Sequence, residues 1–313
     1  MANKFFNRTF LITGGAGFIG RCLAKALLDK GAMVVVYDNL NSGRYESIKK
    51  LGAGDNFEFV KGDILDTKKL SESFGSDIDV VIHLAAITSN IEFEKNLGKC
   101  YKTNVEGFLN VLEQARRNGC GRVLYASSSA VYLKESGFSE DSYIDIKKQK
   151  NHYAKTKLIN EMMADSYAKE HGIWLTGMRF FNVYGSGENA KGNYASIISQ
   201  FLECRRLWKK LVVYGNGEQR RDFIHVDDLS EIILKLVDNG KESLYNIGTG
   251  KAVSYREIAE IIDKDNIRYV KNPLKSYQLL TLADNRKLIR TIGDYKFMSV
   301  RDWARKMLNG ADA

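Results

Sequence analysis

Short apolar runs alternate with amphipathic stretches over about the first 180 residues of the chain. Six of these runs predict β-strands: Thr9–Thr13, Met33–Tyr37, Phe57–Lys61, Asp79–His83, Arg122–Ala126 and Trp174–Arg179. The second run is apolar at nearly every position, which is typical of a parallel strand covered by helices on both faces. Between the first two runs, Leu23 and Leu27 recur at helical spacing, and Gly31 is the predicted helix C-cap.

The strand and helix alternation predicts an α/β fold with a doubly wound parallel sheet of the Rossmann type. We assign residues 1–181 to this domain, with a later return of the chain near residues 224–250. Beyond Asn182 the rhythm changes, and helices are predicted at Ser196–Leu207, Val226–Asn239 and Ser254–Ile262. Residues 182–313 are therefore predicted to form a smaller C-terminal α+β lobe that binds the substrate.

Composition excludes several classes of protein. With 313 residues, 44% of them hydrophobic and 27% charged, the chain can build a large core, which excludes disorder and collagen. Its net charge of +9 suits an anionic ligand without identifying one. The basic clusters at 147–150 and 205–210 are interpreted as solvated surface. We therefore expect neither nucleic acid nor a membrane as a partner.

The four cysteines lie far apart and contain no CxxC pair. Neither a disulfide framework nor a zinc site is predicted, and no metal is expected. The first apolar run is interrupted by Gly14, Gly15 and Gly17, which makes it too short for a signal peptide or a membrane span. We expect a soluble protein of the reducing cytoplasm.

A glycine motif, Gly14-Gly15-Ala16-Gly17-Phe18-Ile19-Gly20, follows the first predicted strand and opens the first predicted helix. Without side chains at the glycines, the backbone can approach a pyrophosphate closely. Free amide groups and the positive end of the helix dipole then meet its charge. This strand, turn and helix context predicts a dinucleotide site.

Asp38 ends the second predicted strand, 18 residues beyond Gly20. A carboxylate there is expected to accept hydrogen bonds from the adenosine ribose hydroxyls and to repel a 2′-phosphate. NAD is therefore predicted in preference to NADP, and Arg21 and Arg44 are the nearby residues in sequence that count against this preference. Asp63, after the third strand, is open to two interpretations, an adenine contact or a helix N-cap.

A phenol and an ammonium stand four residues apart, at Tyr153 and Lys157, and so share one face of a predicted helix. Tyrosine is a poor base with an ordinary pKa of about 10, but an adjacent lysine and the positive nicotinamide ring favour the phenolate. Upstream, serines at 127–129 close the fifth strand, whose carboxyl end faces the ligand crevice of a doubly wound fold. We expect a serine there to hold a substrate hydroxyl.

Together these motifs resemble the extended short-chain dehydrogenase/reductases, and among them the NAD-dependent nucleotide-sugar epimerases and dehydratases. The resemblance runs nearly end to end and rests on Thr13–Gly20, Asp38–Leu40, Gly62–Asp63, His83–Ala86, Asn104–Gly107, Ser127–Ser128, Val131–Tyr132, Tyr153–Lys157, Arg179–Gly185, Arg221–Asp228 and Tyr245–Gly250. It implies that Tyr153 removes a hydroxyl proton while Ser128 steadies the reacting oxygen. Lys157 would lower the phenol pKa and hold the nicotinamide ribose.

The resemblance also implies the ligand-binding residues. Besides the catalytic Ser128, Tyr153 and Lys157, the cofactor residues would be Gly14, Gly17, Phe18, Ile19, Gly20, Asp38, Asn39, Asp63, Ile64, Leu84, Ala85, Ala86, Asn104, Tyr153, Lys157 and Phe180. The nucleotide-sugar residues would be Ser128, Ser129, Asn182, Lys191, Tyr194, Tyr214, Arg221, Tyr277 and Gln278, with Asn182 and Arg221 on the diphosphate. A homodimer through helices near residues 100–118 and 153–171 is also implied.

Two departures from the family pattern bear on the reaction. Family dehydratases and decarboxylases carry an acidic residue just after the catalytic hydroxyl residue, whereas Ser129 and Ala130 follow Ser128 here, which disfavours elimination. The segment Asn272–Gln278 lacks the arginine and acidic residue usual in UDP-hexose 4-epimerases, and with Lys191–Ser196 it is more similar to the ADP-heptose 6-epimerases.

We predict an NAD-dependent nucleotide-sugar epimerase, specifically a UDP-hexose 4-epimerase that works through a transient keto-sugar. A nucleotide-heptose 6-epimerase and a nucleotide-sugar 4-reductase are the alternatives among enzymes. A dinucleotide-sensing regulator is the non-catalytic alternative, but such a protein would not need Tyr153 and Lys157.

Overall fold

Seven parallel strands form the main sheet of the protein. The computed structural model describes residues 4–75, 77–133, 137–188, 192, 195–272 and 278–310. The strands are β1 (Thr9–Thr13), β2 (Met33–Asp38), β3 (Phe57–Lys61), β4 (Val80–His83), β5 (Arg122–Ser128), β6 (Trp174–Phe180), β7 (Asn182–Tyr184), β8 (Leu211–Tyr214), β9 (Arg220–His225), β10 (Leu244–Ile247), β11 (Ala252–Ser254), β12 (Ile267–Val270) and β13 (Leu280–Thr281). The main sheet has the order β3-β2-β1-β4-β5-β6-β10, and each neighbouring pair is parallel. This confirms the predicted doubly wound sheet.

Helices connect and cover these strands. They are α1 (Phe18–Leu28), α2 (Tyr45–Lys49), α3 (Thr67–Glu72), α4 (Asn90–Lys95), α5 (Leu97–Tyr101), α6 (Gly107–Arg117), α7 (His152–His171), α8 (Ile197–Arg206), α9 (Val226–Asn239), α10 (Tyr255–Asp263), α11 (Arg286–Ile292) and α12 (Val300–Leu308). A π-helical turn over Lys102–Glu106 joins α5 to α6. The C-cap of α1 is Asp29 rather than Gly31, whose φ of 73° serves the turn after the helix.

Three strands run further at their carboxyl ends than the hydrophobic pattern predicts. β2 continues to Asp38, β5 to Ser128 and β6 to Phe180. The polar residues stay in the sheet because strand pairing continues beside them, with Ser127 opposite Arg179 and Ser128 opposite Phe180. These added residues lie at the sheet edge where doubly wound folds bind their ligands.

Buried apolar side chains cover both faces of the main sheet. Leu23 of α1 and Ile233 of α9 belong to one cluster, and Leu112 of α6 and Tyr167 of α7 belong to the other. Burying a side chain of this size stabilises the fold by about 1.5–3 kcal/mol. The sheet edge that carries the polar residues is therefore held between two packed layers.

The C-terminal lobe is built around β9. Strands β7 and β13 pair with β9 in parallel, β11 pairs with it in antiparallel, and β8 and β12 form a separate parallel pair. Phe201, Phe223 and Trp303 belong to a third buried cluster, which packs α8, α10 and α12 on these strands. In contrast, β10 returns to the main sheet beside β6, so the chain passes from the lobe back to the sheet.

Candidate active site

The glycine loop between β1 and α1 forms one wall of a cleft at the carboxyl ends of the sheet. Gly14 has a φ of 72°, and a Cβ on it would stand 2.7 Å from the amide nitrogen of Ala85. A Cβ on Gly20 would stand 2.5 Å from the carbonyl oxygen of Gly14. Glycine is required at both positions, and it lets a ligand approach the backbone at the start of α1.

Backbone amides hold the carboxylate of Asp38 at the end of β2. The amide of Ala16 donates to its Oδ2 at 3.0 Å, and the amide of Leu40 donates to its Oδ1 at 2.7 Å. Burial raises the pKa of Asp38, and these two hydrogen bonds oppose that shift. The carboxylate is therefore fixed next to the glycine loop.

Asp63 faces the cleft beside Asn39. The Nδ2 of Asn39 donates to Oδ2 of Asp63 at 2.8 Å, and the amide of Leu65 donates to its Oδ1 at 2.9 Å. The N-cap of α3 is Asp66, which accepts a hydrogen bond from the amide of Lys69. The helix-cap interpretation of Asp63 is therefore wrong, because the cap lies three residues later and Asp63 lines the cleft.

Asn104 supports the loop after β4 from behind the cleft wall. Its side chain accepts from the amide of Ile87 at 2.8 Å, donates to the Ile87 carbonyl at 2.9 Å and donates to Thr156 at 3.2 Å. The π-helical turn that holds Asn104 buries it to 1% exposure. Asn104 is not among the residues that line the cleft, and its amide group binds the protein, so its direct contact with the cofactor stays a prediction.

The cleft encloses about 780 Å³ and is lined by residues of the sheet domain and of the C-terminal lobe. The predicted cofactor residues on its wall are Gly14, Gly17, Phe18, Ile19, Gly20, Asp38, Asn39, Asp63, Ile64, Leu84, Ala85, Ala86, Tyr153, Lys157 and Phe180. Lys99 and Thr103 also line it and were missed by the sequence analysis. They lie one helical turn apart. The sequence alone does not show that this face of the helix meets the cleft, so it did not predict either residue.

Ser128, Tyr153 and Lys157 meet on this wall. Ser128 ends β5, while Tyr153 and Lys157 lie on successive turns of α7, which Asn151 caps at its start. The Nζ of Lys157 lies 5.7 Å from the centre of the Tyr153 ring. It donates a hydrogen bond to the backbone carbonyl of Ala126 at 2.8 Å, which holds the ammonium against β5.

Burial dominates the proton affinities of this group. It raises the pKa of Tyr153, and a hydrogen bond with Ser128 opposes the shift. Burial lowers the pKa of Lys157 to about 8. Ser128 is thus a neighbour whose hydrogen bond favours the phenolate, while the Lys157 ammonium donates to the Ala126 carbonyl. The predicted effect of Lys157 on the phenol pKa stays a prediction.

His83, at the end of β4, is a buried neutral imidazole close to Lys157. Its Nδ1 shares a hydrogen bond of 2.7 Å with the hydroxyl of Thr13. Burial, with a smaller effect of the Lys157 charge, lowers the pKa of His83 to about 3. His83 therefore stays uncharged at neutral pH and is a structural neighbour of the site.

A buried polar network behind the site was not predicted. The guanidinium of Arg179 donates to both carboxylate oxygens of Glu161, at 2.9 and 2.7 Å, and to the hydroxyl of Tyr132 at 2.9 Å. Ser127 donates to Glu161, and Tyr132 donates to Asn246 at 2.7 Å. The network joins β5, α7, β6 and β10, so it fixes the strand end that carries Ser128 against the helix that carries Tyr153.

The predicted substrate residues separate into four groups. Ser128 and Asn182 line the cleft, and Asn182 donates to the carbonyl of Asp222 at 3.0 Å. Gln278 donates to the carbonyl of Tyr132 at 2.9 Å, which ties the C-terminal lobe to the turn after β5. Lys191, Tyr194 and Tyr277 lie outside the described residues.

The structure does not bring Ser129, Tyr214 or Arg221 to the cleft wall. Ser129 opens the short helical turn after β5, and Tyr214 is 43% exposed at the end of β8. The guanidinium of Arg221 lies 5.8 Å from the ring centre of Tyr255 and donates to the Arg220 carbonyl. Tyr214 and Arg221 belong to strands of the small sheets. The spacing of residues in the sequence does not show where these strands lie.

The cleft fits a bound dinucleotide. Its glycine cradle leaves no room for side chains, and a carboxylate stands at the end of β2, as ribose recognition requires. Its volume lies within the usual range for cofactor and ligand pockets. Among the helices that the structure describes, none is both long and apolar enough to cross a membrane.

Comparison with known proteins agrees with this geometry. The model of the NAD dependent epimerase/dehydratase family matches residues 10–248. A UDP-N-acetyl-alpha-D-glucosaminuronate decarboxylase of Bacillus cytotoxicus is 37% identical over 261 residues, covering 80% of this chain and 78% of that protein. The structure of a UDP-N-acetylglucosamine 4-epimerase from Methanobrevibacter ruminantium, in complex with UDP-N-acetylmuramic acid, matches with a TM-score of 0.87 and 26% identity over 97% of this chain and 99% of that one. An ADP-L-glycero-D-manno-heptose-6-epimerase of Helicobacter pylori matches with a TM-score of 0.82 and 28% identity, covering 98% and 96% of the two chains.

The family match covers the glycine cradle, Asp38, the Ser128, Tyr153 and Lys157 group, and β10 of the main sheet. The similar proteins carry out different reactions, so the match defines the cofactor and the general class of enzyme rather than one reaction. The chain belongs to the NAD-dependent epimerase/dehydratase family of extended short-chain dehydrogenase/reductases, and its cofactor is NAD.

Proposed function

We propose that this protein is a UDP-hexose 4-epimerase that works through a transient keto-sugar. The observation that carries the proposal is the meeting of Ser128, Tyr153 and Lys157 on the wall of one cleft with the glycine loop and Asp38. This arrangement supports oxidation of a sugar hydroxyl beside a dinucleotide without any further acid or base.

Each member of the group has a distinct role in the proposed reaction. NAD, when bound, supplies a reversible hydride acceptor. Tyr153, as the phenolate, takes the proton of the sugar 4-hydroxyl, while Ser128 donates a hydrogen bond to the same oxygen. The keto-sugar turns over within the cleft, and Tyr153 returns the proton once the opposite face has been reduced. Lys157, fixed by the Ala126 carbonyl, would hold the nicotinamide ribose.

The carboxylates of the cleft support epimerisation over elimination or decarboxylation. Among the described residues on the cleft wall, they belong to Asp38, Asp63 and Glu188. The first two stand at the ends of β2 and β3. Glu188 accepts hydrogen bonds from the hydroxyls of Ser196 and Ser199, each at 2.6 Å, at the start of α8. Elimination or decarboxylation would use a second acid or base beside Ser128. The residues that follow Ser128 are Ser129 and Ala130, and neither carries a carboxylate.

The test is product analysis with the purified protein. With UDP-glucose, UDP-galactose or UDP-N-acetylglucosamine, chromatography should show conversion to the 4-epimer, with no net change in cofactor absorbance at 340 nm. Consumption of NADH would identify a 4-reductase, and conversion of ADP-heptose alone would identify a 6-epimerase. Loss of CO₂ from a UDP-uronic acid, or loss of water, would refute the proposal.

A ligand screen separates the nucleotide from the reaction. A ligand that binds only the folded state adds about 2.7 kcal/mol of stability at about 100 times its dissociation constant. Thermal shifts with UDP-, ADP-, CDP- and GDP-sugars and the NAD-loaded protein should therefore rank the nucleotides. UDP-sugars are expected to give the largest shift.

We extend the proposal to a homodimer in the cytoplasm. Leu109 of α6 is 38% exposed and Met162 of α7 is 63% exposed, and these helices are the ones that the family resemblance implies at the dimer interface. Light scattering on a size-exclusion column should give twice the 35.4 kDa chain mass, and Met162→Glu should give the monomer. The four cysteines are free thiols, which supports a reducing compartment.

A further inference from the structure

Six consecutive exposed residues, Arg205–Lys210, begin in the last turn of α8 and continue past its end, and four of them are basic. Trp208 is 85% exposed and Leu207 is 43% exposed. This basic segment, defined as Arg205–Lys210, contributes no residue to the cleft wall and has no part in the proposed reaction. It combines an indole, an aliphatic side chain and cations on one stretch of backbone.

Trp208 occupies a backbone conformation that suits glycine. Its φ is 56°, its amide donates to the Arg205 carbonyl, and the next amide, of Lys209, donates to the Cys204 carbonyl. These are the two hydrogen bonds of a Schellman helix end, in which the left-handed position is usually glycine. In the same chain, Gly172 takes the left-handed conformation at the end of α7.

The tryptophan is therefore not explained by folding. A bulky residue with left-handed φ is a backbone outlier that costs stability compared with glycine. Trp208 regains little of that cost by packing, because 85% of its surface is exposed. One guanidinium, that of Arg205, lies 5.8 Å from the ring centre and leaves the rest of the indole in solvent.

Two of the four cations are already neutralised. The arginines of the basic segment form ion pairs with Asp263, at 2.8 Å, and with Glu203, at 2.7 Å. Lys209 and Lys210 are exposed and form no ion pair within the part of the chain that the structure describes. Two lysines next to Trp208 therefore carry the charge that remains available to a partner.

In contrast to the expectation from the sequence that this cluster is solvated and that no membrane is a partner, we propose that Leu207, Trp208, Lys209 and Lys210 form a docking surface for an anionic lipid membrane. An indole beside an aliphatic side chain suits the headgroup level of a bilayer, and lysines next to them attract anionic lipid. Nucleic acid is disfavoured, because its binding depends on many phosphate contacts and two unpaired lysines make few. The contact is peripheral and needs no membrane-spanning helix.

The test is co-sedimentation of the full-length protein with vesicles at low salt. We expect binding to vesicles of phosphatidylcholine and phosphatidylglycerol in a ratio of about 3:1, and much weaker binding to phosphatidylcholine alone. The double variant Lys209→Gln/Lys210→Gln should bind about 30-fold more weakly, since each lysine near an anionic surface contributes about fivefold. Lys49→Gln/Lys50→Gln, a pair of exposed lysines elsewhere, is the matched control and should bind like the wild type.

Trp208→Gly separates docking from folding. Glycine fits the left-handed position, so the variant should melt at the same or a higher temperature and keep its activity in the absence of vesicles. It should nevertheless lose binding to the anionic vesicles. The proposal is overturned if the wild type does not sediment with the anionic vesicles or if Trp208→Gly binds them equally well. It is also overturned if the full-length protein binds single-stranded RNA but not vesicles.

Discussion

Replacing Ser128 with alanine tests whether its hydroxyl favours the Tyr153 phenolate. In the structure, burial raises the pKa of Tyr153 and the hydrogen bond with Ser128 opposes that shift. Removing the hydroxyl leaves burial unopposed, so the pKa should rise further. A hydrogen bond to a charged group contributes about 1.5–3 kcal/mol, which corresponds to about one to two pKa units.

The sign of the pH effect follows from the role of the phenolate. Turnover by Tyr153 increases as pH rises and the phenol loses its proton. The bond between Ser128 and Tyr153 belongs to the substrate-free protein, whose pKa values are reported by kcat/KM. In Ser128→Ala the rising limb of kcat/KM against pH should move up by about one to two units, so kcat/KM falls about 10- to 100-fold near neutral pH. Part of the loss should be recovered at higher pH.

The assay is 4-epimerisation by the NAD-loaded protein at limiting UDP-glucose from about pH 6.5 to about pH 11, a window that passes the ordinary phenol pKa of about 10 because burial raises the pKa of Tyr153. Ser129→Ala is the matched control, because it removes the neighbouring hydroxyl, which is off the cleft wall, and should leave the limb where it is. An equal loss of kcat/KM in Ser128→Ala at every pH, including above the phenol pKa, would show that Ser128 acts on the sugar alone, and the reasoning would be wrong.

Further variants test other parts of the site. Tyr153→Phe should lower kcat by more than about a thousandfold while calorimetry still shows nucleotide-sugar binding, because the phenol acts on the reacting hydroxyl. Asp38→Ala should weaken NAD far more than NADP in a binding titration, and tighter NADP binding by the wild type would contradict the assignment. The pKa of His83 is about 3 in the folded protein and 6.5 when exposed. Its contribution to the free energy of unfolding is therefore complete above pH 6.5 and is lost as pH falls toward 3. The loss should be about 1.4 kcal/mol per pH unit, and His83→Gln should flatten the dependence of urea-unfolding stability on pH in that window. Arg179→Leu should destabilise the fold by about 3–5 kcal/mol, because it leaves the Glu161 carboxylate buried without its partner, and unchanged urea unfolding would contradict this.

Features that depend on a few neighbouring residues were predicted well from the sequence. The glycine loop, Asp38 and the pair Tyr153 and Lys157 each follow from local geometry: a strand followed by a turn and a helix, a strand end, and one helical turn. Their relative positions then follow from the parallel sheet, because its carboxyl ends share one edge. The family resemblance added Ser128 as the choice among three serines.

Contacts between distant segments could not be predicted from the sequence and became visible in the folded chain. The binding of Arg179 to Glu161 and the link from Gln278 to the Tyr132 carbonyl join residues on different elements. The position of Asn104 behind the cleft wall depends on a π-helical turn that no residue pattern marked. Such contacts leave no periodic pattern of residues in the sequence from which they could be predicted.

The electrostatics of the site divide in the same way. The residue pattern and the family resemblance predicted that a phenol, a hydroxyl and an ammonium would share a cleft with a dinucleotide. Only the folded chain decided that the Lys157 ammonium points to the Ala126 carbonyl and that Ser128 is the group bonded to Tyr153. Burial and hydrogen-bond direction set a pKa, and both are properties of packing between segments that are far apart in the chain.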